Sequence, residues 1–221
     1  SARYTRDSGP NATPRDPDDP PGATDGRLYR WMNTVWNGSG DGGVWIANDR
    51  FGFQERAFYF GNQNQVDEFY GRVLVANVGI DVSFSMAVWV REDDQDGWVV
   101  GQEGWAALEL LTNAGGVGLS IPGGAPVTVT HATQLEEDVW HFFAVTVLYD
   151  EALHRTAVRL YRDGNLVATE FKSGTVYPNP DFTQPFLIGE ATAADDDFNP
   201  VRAYLDDVRV WNRALSAGEV R

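Results

Sequence analysis

Asp206 stands in the stretch "YLDDVRVWNRALS", in phase with Val208 and Val210, so alternation along a strand places its carboxylate on the apolar side. A charge there needs a partner, and either a cation or a set of loop amides donating to it would serve. A second candidate follows the apolar "LIG" in "GEATAADDDFNP", where Glu190, Asp195, Asp196 and Asp197 gather carboxylates. Hard Ca²⁺ takes roughly six to eight oxygens from flexible carboxylates and carbonyls, while a run of like charge can equally well just face water. Among the eight tryptophans, Trp98 and Trp105 flank the Gly-rich turn that carries Glu103 and would form an exposed platform for the apolar face of a sugar ring. Trp89, Trp140 and Trp211 fall inside strand patterns and are expected to pack in the core or at its rim. His131, His141 and His154 are too scattered for a zinc site. Asn11 and Asn37 begin Asn-x-Ser/Thr sequons, sites of surface glycosylation in a eukaryotic source.

What must position these residues is a chain of 221 amino acids that is 43% hydrophobic, enough for one large packed core. Its 32 acidic and 17 basic residues give a formal charge of −15, which repels phosphate backbones and anionic headgroups, so neither nucleic acid nor a membrane surface is expected as a partner. There is no cysteine to supply a disulfide framework. No apolar run reaches the roughly 18 residues that would insert into a bilayer. The start at Ser1 reads as a processed or excised piece of something longer.

Residues 1–26 hold five prolines and five aspartates and no Val, Ile, Leu, Met, Phe or Trp, the composition of a linker or extended arm. A folded domain is expected over 27–221. Phe84, Met86, Val88 and Val90 line one side of "FSMAVWV", and Phe143, Val145 and Val147 one side of "WHFFAVTV", both at the strand period. Asp163-Gly164-Asn165 between two β-rich arms predicts a tight hairpin with positive φ angles. Helix is expected only as a single turn at the end, where Ser216 and Glu219 have capping-box spacing.

Three stretches, "FSMAVWVRE", "WHFFAVTVLYDEALHRTAVRLYRDGNLVAT" and "FLIGEATAADDDFNPVRAYLDDVRVWNRALSAGEV", resemble the laminin G-like jelly-roll domains of the concanavalin A-like superfamily. With the earlier "DRFGFQERAFYFGNQNQVDEF", the likeness runs over roughly 28–221. It implies an all-β, two-sheet antiparallel jelly-roll sandwich with loops at the rims.

The resemblance also implies chemistry. In related domains the aspartate at the Asp206 position joins backbone oxygens of an early loop in a structural calcium site, which maps to Gly61 and Asn62. Pentraxins, more distant relatives, carry calcium ligands where Glu190, Asp195, Asp196 and Asp197 stand, with Glu103 the match for a contribution from an earlier loop. The spacing from Glu190 to the aspartates is longer here. The E-x-D-x-x-E strand of superfamily hydrolases is absent from the sequence, and "FKSGTVY" matches an alginate lyase element only in passing. The expectation is a non-catalytic extracellular or cell-surface module, braced by Ca²⁺, that binds a glycan or an extracellular protein partner. The alternatives are a structural domain packed against neighbouring domains or copies of itself, and a polysaccharide-degrading enzyme.

Overall fold

The computed structural model describes residues 3–4, 26–30, 42–54, 56–62, 71–75, 82–95, 97–102, 106–111, 116–121, 127–131, 135–136, 138–174, 186–189 and 201–220. In chain order the strands are β1 (Arg3–Tyr4), β2 (Gly26–Arg30), β3 (Gly42–Ala47), β4 (Ala57–Asn62), β5 (Gly71–Val75), β6 (Phe84–Gln95), β7 (Gly97–Gln102) and β8 (Ala106–Leu111). They continue with β9 (Gly116–Ile121), β10 (Val127–Thr130), β11 (Trp140–Asp150), β12 (Arg155–Arg162), β13 (Asn165–Ser173), β14 (Phe186–Ile188) and β15 (Arg202–Trp211). An eight-stranded sheet runs β1-β2-β5-β14-β7-β8-β9-β10 and a seven-stranded sheet β13-β12-β11-β6-β15-β4-β3. Pairing is antiparallel throughout both, the expected jelly-roll sandwich.

The alternating rows identified in the sequence are the core. Phe84, Met86, Val88 and Val90 of β6 and Phe143, Val145 and Val147 of β11 are each at most 2% exposed and meet Val100, Leu108, Leu110 and Phe186 of the facing sheet. Each such side chain contributes about 1.5–3 kcal/mol by leaving water. The β12–β13 hairpin turns on Asp163 and Gly164, with φ of 51° and 76°, the two positive angles of the tight turn expected there. His141 then ties that turn to β11: its Nδ1 lies 2.9 Å from an Asp163 carboxylate oxygen, while Arg162 approaches Nε2 at 3.2 Å. Of residues 1–26, Arg3 and Tyr4 pair in register with Leu28 and Arg27, and Gly26 opens β2.

The outer face of the seven-stranded sheet has two halves. Over one of them the C-terminal turn lies flat, burying Leu215 and Val220 against Ala87, Ala144 and Tyr161. Ser85 pins it, its hydroxyl accepting from the Leu215 amide at 2.9 Å and donating to the Arg213 carbonyl at 3.0 Å. Ser216 and Glu219 meet as their spacing predicts, the Glu219 carboxylate accepting from the Ser216 amide at 2.8 Å.

Candidate functional site

The second half of that face carries the arginine and aromatic side chains. Along β6 the residues out of phase with the core row are Ser85, Ala87, Trp89 and Arg91, and the register sets Trp89 beside Phe142 and Arg91 beside Trp140 of β11. On the other flank β15 sets Tyr204 beside Arg91, and Tyr204 in turn faces Tyr59 of β4. The contacts follow from this register. The Arg91 guanidinium stacks 3.8 Å from the Tyr204 ring centroid and 5.7 Å from that of Trp140. Trp89 and Phe142 lie 5.4 Å apart, Tyr59 and Tyr204 4.6 Å apart, and Arg202 Nε donates to the Tyr59 hydroxyl at 3.3 Å. Arg91 Nε is buried and has no hydrogen-bond partner among the described residues. The Arg91 guanidinium thus packs against two rings on this face, with one nitrogen enclosed.

Asp206 belongs to this outer face, which corrects the phase expected for it. Leu205 packs in the core, as do Val208 and Val210, so alternation is broken between them. The break is a β-bulge between Asp206 and Arg209, where Asp207 takes a φ of 54°. Asp206 therefore shares the side of Tyr204, opposite Trp89. Its partner is Arg50, whose Nη1 donates to Oδ2 at 2.6 Å, with the two side chains 20% and 10% exposed. Arg50 also lies 4.9 Å from the Trp89 ring centroid and reaches Asp207 at 3.5 Å.

The structure does not bring Asp206 together with Gly61 and Asn62. In the β15–β4 register Leu205 pairs with Phe58 and Ala203 with Phe60, which puts Gly61 at the far end of β4 from Asp206. A guanidinium already occupies the position a cation would take, and no group of three His, Cys, Asp or Glu able to hold a metal occurs among the described residues. Asp206 thus pairs with Arg50 and does not meet Gly61 or Asn62. Glu190, Asp195, Asp196 and Asp197 lie outside the described residues, as do Glu103, Trp105, Asn11 and Asn37. The ends of the segment 190–200 are tied, since the Val201 amide donates to the Gly189 carbonyl at 3.1 Å. Trp98 is not the exposed platform expected of it: it is 9% exposed, with its indole nitrogen buried. Trp89 and Trp140 are half-buried on the outer face and not in the core between the sheets.

Comparison with known proteins gives this architecture a family. A laminin G-type model of the concanavalin A-like lectin/glucanases superfamily matches residues 61–221. The chain belongs to that superfamily. Among solved structures, domain 4 of an extracellular arabinanase from Geobacillus stearothermophilus, in complex with arabinotriose, is similar at a TM-score of 0.61 and 15% identity, over 87% of this chain and 85% of that one. A Bacteroides ovatus protein assigned to carbohydrate binding is similar at 0.54 and 23% identity, over 75% of this chain and 45% of its own. The binding domain of botulinum neurotoxin serotype C1 is similar at 0.55 and 13%, over 89% and 46%. These identities carry the fold alone. No curated protein matches the sequence.

Arg50, Tyr59, Arg91 and Tyr204 went unmarked in the sequence as functional residues. Arg91 was within reach, because it continues the Trp89 row that alternation sets opposite Val88 and Val90. Arg50 and Tyr204 were not, because only the fold brings β4, β15 and the loop before β4 alongside β6.

Proposed function

We propose that the chain is a non-catalytic glycan-binding module, extracellular or at the cell surface, that takes an oligosaccharide against the half of the seven-stranded sheet that carries Arg91, Trp140 and Tyr204. The observation that carries this reading is the half-buried Arg91, stacked on Tyr204 and facing Trp140 beside the half-buried Trp89. Sugars present apolar ring faces and acceptor oxygens together, and rings interleaved with a donor answer both. On this face the carboxylates of Asp206 and Asp207 are each held by an arginine, Arg50 or Arg209, which favours binding over acid–base hydrolysis. Domain 4 of the arabinanase, the structural neighbour holding arabinotriose, supports a sugar as occupant.

Calcium enters this reading only at Glu190 and Asp195 to Asp197, where it would order a rim loop. Adhesion to a matrix partner is the use to which such binding would be put. The test is a glycan array followed by calorimetry on the wild type, Arg91→Lys and Trp140→Ala, each with added calcium and with EDTA. The expected result is sugar binding that both substitutions weaken at least tenfold, because Lys keeps the charge but not the planar stack. Binding indifferent to both substitutions would refute the site. EDTA-sensitive binding that Asp196→Asn also weakens would place the metal at the acidic loop.

A further inference from the structure

The loop between β3 and β4 displays aromatic rings that the fold does not use. Its backbone is tightly fixed: Asp49, 8% exposed, accepts at Oδ1 from the amides of Phe51 and Phe53, both at 2.9 Å. The Asp49 amide donates to the Phe53 carbonyl and the Gly52 amide to the Asp49 carbonyl, both at 3.0 Å, and the Arg56 amide closes the loop on the Ala47 carbonyl at 3.1 Å. Gly52 takes the φ of 83° that this path requires. Yet Phe51 and Phe53 stand 68% and 55% exposed. A loop ordered at this entropic cost that holds two large rings outward gains nothing for the core from them.

Each ring is flanked by a guanidinium, Arg50 at 4.6 Å from Phe51 and Arg56 at 4.9 Å from Phe53. Arg50 is shared, since it also stacks on Trp89 and is anchored by Asp206. Phe51 is therefore continuous with the Arg91 face through one arginine and one tryptophan. The family match begins at residue 61, so it does not account for this loop.

We infer that Phe51 and Phe53 form a second subsite of the same surface, taking the apolar face of a further sugar ring in an oligosaccharide already held at Arg91. This rests on the glycan-binding reading above. A lipid bilayer is the other surface to which exposed phenylalanines dock, but the chain's formal charge of −15 opposes an anionic membrane.

The experiment measures affinity of the full chain for arabino-, xylo- and gluco-oligosaccharides of increasing length, with Phe51→Ala, Phe53→Ala and the double variant alongside. Exposed rings can be removed without loss of fold, and a retained cooperative denaturation transition checks this. The wild type is expected to gain affinity with length, and the double variant to lose about tenfold on the longest members and less than twofold on the shortest. If the wild type binds and the double variant matches it at every length, the second subsite is overturned while the Arg91 site stands. If the wild type binds no member, both fall. Binding to mixed phosphatidylcholine and phosphatidylserine vesicles that the double variant loses would overturn the sugar in favour of a membrane.

Discussion

The contact between Arg50 and Asp206 decides whether the aromatic half of the sheet is braced by a side chain or by a metal, and a double-mutant cycle reads it directly. With Arg50 at 20% and Asp206 at 10% exposure, the pair lies between an exposed ion pair, worth at most about 1 kcal/mol, and a buried one, whose breakage costs about 3–5 kcal/mol. Asp206→Ala leaves Arg50 able to swing toward Asp207, now 3.5 Å away, so its cost is set at about 1–2 kcal/mol. Arg50→Ala removes the donor from a nearly buried carboxylate and also the cation between the Phe51 and Trp89 rings, each contact worth about 0.5–1 kcal/mol, for a total of about 2–3 kcal/mol. The double variant should be less destabilised than the sum of the singles, by a coupling of about 1–1.5 kcal/mol. The assay is urea denaturation of all four proteins, repeated with added calcium and with EDTA. Additive losses, with coupling under about 0.5 kcal/mol, would refute the pairing. A wild type that EDTA destabilises as much as Asp206→Ala does would restore a metal to that position.

Two further outcomes follow from the ends of strands β14 and β15. Gly189 has a φ of +93°, and a Cβ there would overlap the ring of Phe60, which is 1% exposed and locked in the core. Gly189→Ala should cost about 1–3 kcal/mol for the backbone and a similar amount for the forced ring movement, and a denaturation midpoint within about 1 kcal/mol of wild type would contradict this. At the C-terminus, hydrogen bonds from Arg213 and then from Ser216 lower the Glu219 carboxyl from 4.5 to about 2. A depressed carboxyl stabilises the folded turn in full above its unfolded pKa and loses that contribution as pH falls through its folded value. Hydrogen-exchange protection of the Leu215 amide should thus decline between pH 4.5 and 2 in the wild type and lie flat in Glu219→Gln; the same decline in both would remove Glu219 from the account.

How far the sequence carried is clearest on β6 and β15. On β6 nothing interrupts alternation from Phe84 to Val90, so the core row was legible from period alone, and by subtraction so was the outer row that ends in Trp89 and Arg91. On β15 the same reasoning failed, because one extra residue at Asp207 flips the phase between Leu205 and Val208. No glycine marks that bulge. Aspartate enters the left-handed region more readily than most residues, so the chain turns there without the usual signature. The partner of Asp206 was hidden for a different reason: Arg50 lies 156 positions away, and only the packing of the β3–β4 loop over β6 makes them neighbours. The hairpin at Asp163 was legible because every determinant of it is local, down to the two positive φ angles.

The outer row of β6 explains why one sheet face can be half cover and half site. Ser85 and Ala87 are small, and beside Ala144 they leave a trough into which Leu215 and Val220 sink, with the Ser85 hydroxyl satisfying the incoming backbone at both its donor and its acceptor. Two residues on, Trp89 and Arg91 are large, and a turn could not lie flat over them. The change from small to large along a single strand therefore limits how far residues 213–220 can lie flat on the sheet. Beyond that limit the face carries Arg91 against Tyr204 and Trp140, and a ligand with both ring faces and oxygens would complement it better than a purely apolar one.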